Sequence, residues 1–456
     1  FALSANAADG TVGTVSVQKG NNVSVNGEAP LSLTLDGKDH QSCQFLSKRA
    51  PDESHEFTWK EVTTTRGGEL AEILGDQLRS VDSLVVKGYV NDKDFHAMWD
   101  ASLYGYLSVI NLKNAVLENN AVPDTAFFHE NEQYEGSSHE IFYYIGLRKI
   151  ILPEGLEKIG EGAFYQASAL RQVNFPSTLR YIGDFAFNAT KLEMNQLVIP
   201  EGVEEINQYA FAFCRKLKAQ VTLPSTIKKI GEWAFYGCPI TSINLPEGLE
   251  SLGSLAFWDC DLREVSIPSS CHEFNEGWQF GFNRNLEKMH LPEGMTEIPD
   301  HFAVDCFRLR EVNFPHTLKH IGEKAFSLCI SLKNVDLPLG MQSLGEEAFS
   351  ELEALEQIVF PASMKSLGKN SCSYWKNIKR IYCAAMEPPV CDPTDGGVFS
   401  GFDFPDGFDT PVVYVPKGSI NKYKDPSRNC MGWEKFWNYV EIDPSEFPTT
   451  AIDSPA

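Results

Sequence analysis

The sequence predicts a curved solenoid of short β-rich coils, because three landmarks recur together along the chain. A proline ends each predicted strand at intervals of 22 to 24 residues, and in most units an Ile-Gly or Leu-Gly pair and an Ala-Phe pair follow it in that order. The prolines are Pro153, Pro176, Pro200, Pro224, Pro246, Pro268, Pro292, Pro315, Pro338 and Pro361. A leucine-containing period of about 20 to 29 residues is typical of leucine-rich repeats. The predicted fold class is therefore a leucine-rich-repeat solenoid of about 23-residue coils with short helical turns.

Each residue type of the repeat has an expected place in one coil. In L-x-x-V-x-L-P, the Val and the last Leu point inward from a short strand, and Pro ends the strand because it lacks an N–H donor. In the following x-x-L-x-x-I-G, Leu and Ile point inward from the opposite wall, and Gly is expected to permit the next turn. One coil cannot cover its own apolar side, so coils must stack about 4.8 Å apart. Three pairs depart from the motif, namely Phe274-Asn275, Gln279-Phe280 and Phe302-Ala303. These departures predict local irregularity in the coils that contain them.

The pattern predicts four regions. Residues 1–66 form an N-terminal segment, in which 1–7 resemble the tail of an export signal or an ordinary disordered terminus, and a period-two pattern then predicts strands. Residues 67–146 form a cap with degenerate repeats, and 129–143 interrupt the period as an exposed loop. Residues 147–383 form the solenoid of about ten coils, and 384–456 form a C-terminal cap and tail.

Both predicted caps rest on clusters of apolar residues. In the N-terminal cap, residues 68–78 place Leu70, Ile73, Leu74 and Leu78 on one face of a helix, and 94–101 predict a second short helix. In the C-terminal cap, Trp433, Phe436 and Trp437 supply the bulk expected to cover the last coil.

Composition excludes several classes of protein. The 456 residues carry a formal net charge of −23, which disfavours binding to nucleic acid or, through basic patches, to membranes. No stretch approaches the roughly 18 to 20 apolar residues of a transmembrane helix. The apolar fraction of 43% excludes global disorder.

The eleven cysteines are an odd number, so they cannot all pair within the chain. Five fall in one column of the repeat, interrupted by Asn283, and are expected to be small buried thiols, with disulfides between neighbouring coils as the alternative. They are Cys214, Cys238, Cys260, Cys306 and Cys329. Outside the column, Cys383 and Cys391 are candidates for a disulfide near the cap.

The motif L-P-x-x-L-x-x-I-G-x-x-A-F-x-x-C-x-x-L resembles the BspA-type leucine-rich repeat. The segments VYVPKGSINKY and GWEKFWNYVEI are similar to the C-terminal cap of that family, and GGELAEIL with SLVVKGYVNDKDF resembles its N-terminal region. The resemblance covers residues 60–441. It implies an exported or cell-surface protein of bacteria living with a host. Some members of the family are implicated in adhesion to host proteins or to other bacteria, and the family brings no catalytic motif.

The concave strand wall is the first candidate ligand-binding face, because repeat curvature creates concave surfaces. Side chains on either side of the inward residue of each strand point outward. The candidates are Gln172, Asn174, Gln220, Thr222, Asn244, Glu264, Lys288, His290, Glu311, Asn313, Asn334, Asp336 and Tyr382. The row is poor in the aromatic anchors that dominate protein interfaces, so a solvated sheet face is the alternative.

An aromatic ridge is the second candidate surface. Tyr165, Tyr236 and Trp258 each directly follow the core Phe, and Tyr236 and Trp258 occupy the same position in adjacent coils, where their rings would touch. Exposed paired rings suit contact with a sugar or a protein. The alternative is that these rings pack over the ridge between coils.

These observations favour a non-enzymatic, exported or cell-surface binding protein whose partner is a protein or a glycan. The motifs H-E-x-x-H, G-x-S-x-G, G-x-x-x-x-G-K and C-x-x-C are all missing from the sequence. No cofactor is expected, and no metal site, because the acidic loop 392–409 matches no calcium-binding spacing. The alternative is a structural spacer, or a subunit of a surface complex, that presents the N-terminal region.

Overall fold

The computed structural model describes residues 56–128, 145–392, 397–401, 411–425 and 432–448, together with the backbone of four strands further upstream. Those strands are Gly13–Gln18 and Asn22–Gly27, which pair antiparallel, and Leu33–Leu35 and Lys38–His40, which pair likewise. They confirm the strands predicted from the period-two pattern. The predicted export-signal remnant, the loop 129–143 and most of the acidic loop 392–409 lie outside the described residues.

The chain folds into two compact stacks of coils. The first unit reaches to Met194 and includes Pro200–Val203 and Ala210–Leu217, and the second comprises Asn195–Ile199, Glu204–Tyr209 and the chain from Lys218 onward. In both units each coil contributes one strand to a wall of longer strands and one to a wall of two-residue strands, named here the long-strand wall and the short-strand wall. Both walls are parallel, as expected when successive coils repeat the same path.

The first unit begins with its longest strands. Its long-strand wall is one parallel sheet of five strands: Trp59–Thr64, Ser83–Val90, Val109–Leu117, Lys149–Ile151 and Gln172–Val173. Its short-strand wall contains Ala121–Val122, Lys158–Ile159 and Tyr181–Ile182.

The second unit repeats the plan, with breaks in its long-strand wall. The three sheets are Gln196–Val198, Gln220–Thr222 and Ser242–Asn244; then Glu264–Ser266, Lys288–His290 and Glu311–Asn313; then Gln357–Phe360, Arg380–Cys383, Val412–Pro416 and Tyr439–Ile442. The short-strand wall contains Glu205–Ile206, Lys229–Ile230, Ser251–Leu252 and Glu273–Phe274, then Glu297–Ile298, His320–Ile321, Ser343–Leu344, Ser366–Leu367 and Val390–Cys391.

Phenylalanine rings of the Ala-Phe pairs stack along the core of each unit. In the first unit, Phe164 stacks on Phe187 with ring centroids 5.2 Å apart and an interplanar angle of 11°. In the second, Phe257 and Phe280 lie 5.5 Å apart at 10°, but Phe302 meets Phe280 edge-on at 76°. This change of geometry confirms the irregularity predicted there, because the order Phe302-Ala303 reverses the motif.

The glycine of the Ile-Gly pair has a role different from the predicted one. A Cβ added at Gly183 would lie 2.6 Å from the backbone nitrogen of Glu161 in the preceding coil, and one at Gly345 would lie 2.6 Å from that of Glu323. Neither glycine has a left-handed φ. The residue must therefore be Gly because adjacent coils approach closely there, and the expectation that Gly permits the turn was wrong.

The turns are made mostly by residues other than glycine. The predicted short helical turns are hydrogen-bonded turns, and residues 145–392 contain no helix. Trp233 adopts φ 57° and donates its N–H to the carbonyl of Ser254 in the next coil at 2.9 Å. A left-handed non-glycine residue costs about 1–2 kcal/mol, and this hydrogen bond between coils offsets that cost. The same position is left-handed in Phe185, Tyr209, Leu255, Trp278, His301, Lys324 and Glu347.

Helices lie where the sequence predicts them near the N-terminal end, with different bounds. The first predicted helix is a short α-helix, Leu70–Leu74, followed by a 3-10 helix, Gly75–Arg79, and it leaves Ile73 50% exposed. The second is Asp92–Tyr104, longer than predicted. In the C-terminal cap, a helix spans Ile420–Tyr423 and two 3-10 helices span Trp433–Lys435 and Pro444–Glu446. Trp433 and Phe436 are buried, but Trp437 is 73% exposed and covers nothing.

Coils alternate between two kinds at the turn after the proline. Where one coil has Pro-Glu-Gly, the next has Pro followed by two small or polar residues. Gly155 donates its N–H to Oγ1 of Thr178, and Glu154 accepts a hydrogen bond from the hydroxyl of Ser177 at 3.0 Å. In the second unit, Gly248 pairs in the same way with Ser270, and Glu247 with Ser269. The structural repeat is therefore a pair of coils.

Candidate binding surfaces

The long-strand wall exposes side chains in the register that the sequence predicts. Gln220 and Thr222 are exposed on either side of buried Val221, and the strand Gln220–Thr222 pairs in register with Gln196–Val198 and Ser242–Asn244. Gln172 is likewise exposed beside buried Val173. The predicted residues therefore form rows along each unit, and their use by a ligand stays a prediction.

Four of the predicted residues form one charged cluster in the second unit. Nζ of Lys288 lies 3.1 Å from Oε2 of Glu311, and Nε2 of His290 lies 3.2 Å from Oε1 of Glu264. The hydrogen bond to Glu311 raises the pKa of Lys288 above its ordinary value. All four side chains are 39% exposed or more, so the pairs add little stability and remain available to a partner.

Three predicted asparagines already have structural hydrogen bonds. Oδ1 of Asn174 accepts the N–H of Leu152 at 2.7 Å, and its Nδ2 donates to the carbonyl of the same leucine at 3.0 Å. Asn244 and Asn313 likewise accept the N–H of the leucine before the proline of the preceding coil. These side chains bridge successive coils where the strands diverge, so they are weaker candidates for contact with a ligand.

The C-terminal end of the long-strand wall carries its aromatic anchor. Tyr382 stacks on Tyr414 with centroids 4.5 Å apart and an interplanar angle of 12°, and Phe447 meets Tyr382 edge-on. Burial raises the pKa of Tyr382. The sequence identified Tyr382 but not Tyr414, which lies outside the regular period.

The remaining predicted residues, Asn334 and Asp336, occupy the coil at which the sheet is interrupted. Burial raises the pKa of the half-buried Asp336 carboxyl.

The rings of the predicted aromatic ridge are half-buried and pack against neighbouring rings. Tyr165 meets Phe128 at 4.7 Å, Tyr236 meets Trp233 at 4.4 Å, and Trp258 meets Phe282 at 4.4 Å. These contacts favour the alternative in which the ridge packs between coils. Its use by a ligand stays a prediction.

Sequence reasoning missed aromatic residues one turn away from the ridge. Trp233 and Trp278 occupy the left-handed position before the core pair, where Trp233 stacks on Tyr209 at 5.3 Å and Trp278 on His301 at 3.6 Å. The sequence does contain a signal for them, because an aromatic residue recurs two positions before the core Phe. To use this signal, one must know that the side chain at this position faces outward.

The cysteine column consists of buried thiols that form no disulfides, as predicted. The thiol of Cys260 donates to the carbonyl of Phe235 at 3.3 Å, and the thiol of Cys306 donates to that of Phe280 at 3.4 Å. Burial raises the pKa of Cys306 to about 12. Cys383 and Cys391 are also buried and form no disulfide, so the pairing considered for them does not occur. Among the described residues, no three His, Cys, Asp or Glu side chains are grouped as metal ligands.

The comparison with protein families identifies the repeat. A model of the BspA type leucine rich repeat region matches residues 137–220, 219–326 and 301–386, in six copies. These stretches span more than half of the chain. The chain belongs to the BspA-type leucine-rich-repeat family. The resemblance inferred from the motif is thereby confirmed, as is the predicted solenoid fold.

Solved structures similar to this chain include several bacterial proteins. A leucine-rich repeat protein from Bacteroides ovatus ATCC 8483 is 21% identical, with 81% of this chain and 93% of that chain covered and a TM-score of 0.49. A leucine rich cell surface protein from Faecalibacterium prausnitzii A2-165 is 21% identical over 58% and 83%, with a TM-score of 0.34. The pneumococcal vaccine antigen PcpA is 16% identical over 95% and 100%, with a TM-score of 0.37. Curated proteins gave no match. No helix in the described part of this BspA-type chain is long and apolar enough to cross a membrane.

Proposed function

We propose that this chain is a non-enzymatic, exported or cell-surface binding protein that adheres to a host or bacterial protein or glycan. The observation that carries the proposal is the long-strand wall of the second unit. There the cluster of Glu264, Lys288, His290 and Glu311 is exposed, and the stacked pair of Tyr382 and Tyr414 supplies an aromatic anchor. Aromatic and charged side chains held on a rigid sheet suit a protein or sugar surface, because they lose little entropy on binding.

A binding assay tests the proposal directly. The purified chain is offered to immobilised host matrix proteins and to a glycan array, and bound protein is measured at several salt concentrations. Lys288→Ala and Tyr382→Ala are each expected to weaken a true interaction about tenfold, because the first removes a charged contact of the cluster and the second removes the aromatic anchor. Glu61→Ala, on the long-strand wall of the first unit, is the control and is expected to leave binding unchanged. Folded protein that binds neither set of ligands contradicts the proposal.

A second candidate function is that of a spacer that presents the N-terminal strands. It is supported by the two antiparallel pairs between Gly13 and His40, which form sheets of their own outside the parallel walls. Deletion of residues 1–55 separates the two functions, because the strand Trp59–Thr64 and all following coils remain. Binding that survives this deletion favours the solenoid as the binder, and binding that vanishes while the solenoid stays folded favours the spacer.

A further inference from the structure

We propose that the short-strand wall of the second unit carries a groove that binds an extended, basic peptide segment of a partner protein. The groove has a volume of about 540 Å³. It crosses the five strands from Glu297–Ile298 to Val390–Cys391, which pair in parallel through His320–Ile321, Ser343–Leu344 and Ser366–Leu367. It lies on residues other than those of the long-strand wall, so it does not depend on the function proposed above.

The groove exists because the outward side chains in its middle are small. The same strand position is occupied by Lys158 and Tyr181 in the first unit and by Lys229 earlier in the second, but by Ser343 and Ser366 here. Gly322, Gly345 and Gly368 also line it. The trough therefore opens between the larger side chains of His320 and Val390, which lie toward its two ends.

The floor offers hydrogen-bonding groups at fixed positions. Nδ1 of His320 lies 2.7 Å from Oγ of Ser343, which holds that serine side chain in place. The hydroxyl of Ser366 forms no hydrogen bond within the described part of the chain and is half-exposed, so it can bond to the main chain of a ligand. A chain lying here crosses the strands of the wall, so side chains of the groove provide its polar contacts.

The charge of the groove selects a cationic ligand. Glu297, Asp300 and Glu323 line one end and Asp392 lines the other, whereas no Lys or Arg lines any part of it. Lys324 pairs with Glu323 at 2.9 Å, but Glu297 makes no ion pair with any described residue.

At two other short-strand positions, one in each unit, a carboxylate is matched by a lysine from the neighbouring coil. Lys158 lies 3.1 Å from Asp124, and Lys229 lies 2.8 Å from Glu205. The end of the groove at Glu297 lacks such a lysine, and we infer that a partner supplies the missing cation.

The length of the groove sets the size of the segment. Four successive strand pairings separate Glu297 from Val390, and at about 4.8 Å per pairing the two ends lie about 19 Å apart. An extended chain advances about 3.3 Å per residue, so about six residues span that distance. Small residues fit over the two serines, and a basic residue at each end reaches the carboxylates.

The test uses the full chain and a fluorescein-labelled hexapeptide of sequence Arg-Gly-Ser-Ser-Gly-Arg, followed by fluorescence anisotropy at 50 mM NaCl. The expected result is saturable binding that weakens as NaCl is raised to 300 mM. A peptide with both arginines replaced by glutamate should not bind, and one with the two arginines adjacent should bind at least threefold more weakly. Ser366→Lys should weaken binding tenfold or more, because it fills the trough and adds a positive charge, and Glu297→Gln should weaken it about threefold.

The control is Glu356→Gln, which removes a carboxylate that pairs with Lys379 outside the groove and should leave peptide binding unchanged. Thermal unfolding of each variant checks that the fold is intact. The proposal is overturned if the arginine peptide binds no better than the glutamate peptide, or if Ser366→Lys leaves its binding unchanged. It is also overturned if Ser366→Lys blocks an oligosaccharide while the arginine peptide fails to bind, since the groove would then be a glycan site.

Discussion

Nδ2 of Asn283 lies 2.7 Å from the carbonyl oxygen of Phe257 in the preceding coil, and both residues are fully buried. Asn283 occupies the place that cysteine holds in neighbouring coils, where thiols donate to the equivalent carbonyl. The column that reads as a row of small apolar residues is therefore a row of hydrogen-bond donors. Cys260 shares the Phe235 carbonyl with the N–H of Cys238, whereas no backbone N–H in the described part of the chain donates to the Phe257 carbonyl, which therefore depends on Asn283.

We predict that Asn283→Ala lowers the free energy of unfolding by about 2–3 kcal/mol, because it leaves the Phe257 carbonyl buried without a donor. Asn283→Cys should lower it by about 1 kcal/mol, since the thiol can donate as its neighbours do. Urea unfolding followed by circular dichroism measures both. The exposed Asn334→Ala is the control. A loss below about 0.5 kcal/mol for Asn283→Ala would show that this hydrogen bond contributes nothing.

We predict that Gly183→Ala destabilises the first unit more than Gly155→Ala does. A methyl group at Gly183 would lie 2.6 Å from the backbone nitrogen of Glu161, so the coils must separate, at a cost above about 2 kcal/mol. Gly155 has φ 98° with open space around it, so alanine there meets only backbone strain of about 1–2 kcal/mol. Urea unfolding of the two variants compares them. Equal losses would contradict the close approach between coils as the reason for this glycine.

The sequence predicted the parts of the fold that one coil determines. The inward Val221 with its outward neighbours, and the strand-ending Pro224, follow from alternation and from proline chemistry within a few residues. The role of Gly183, the hydrogen bonds of Asn174 and the left-handed Trp233 depend on the adjacent coil, which a single period does not show. The groove at Ser343 could not be predicted, because the sequence alone does not show which short-strand residues lie next to one another. The pairing of coils, by contrast, is visible in the alternation of residues after each proline.

We predict that the buried thiols do not react with a disulfide reagent in the folded protein. Burial raises the pKa of both Cys271 and Cys306 to about 12, so at pH 8 the reactive thiolate is scarce, and the reagent also has no access. Labelling followed by peptide mapping should find both residues unmodified in the native protein and modified in 8 M urea. Rapid labelling of native Cys306 would show that the stack opens at this coil.

We predict that Glu69 stabilises the N-terminal cap only above acidic pH. Its carboxylate accepts the N–H groups of Thr65 at 2.6 Å and Arg66 at 3.1 Å, and these bonds lower its pKa from 4.5 to about 2. Because the pKa is lower in the folded state, the stabilisation is complete above about pH 4.5 and is lost as the pH falls through about 2. Wild type should therefore melt at a higher temperature than Glu69→Gln at pH 6, and the difference should shrink markedly at pH 2.5. Glu72→Gln, whose carboxylate is 69% exposed, controls for loss of charge in the same helix. A difference that is the same at both pH values would mean that the charge of Glu69 does not hold the Thr65–Arg66 turn.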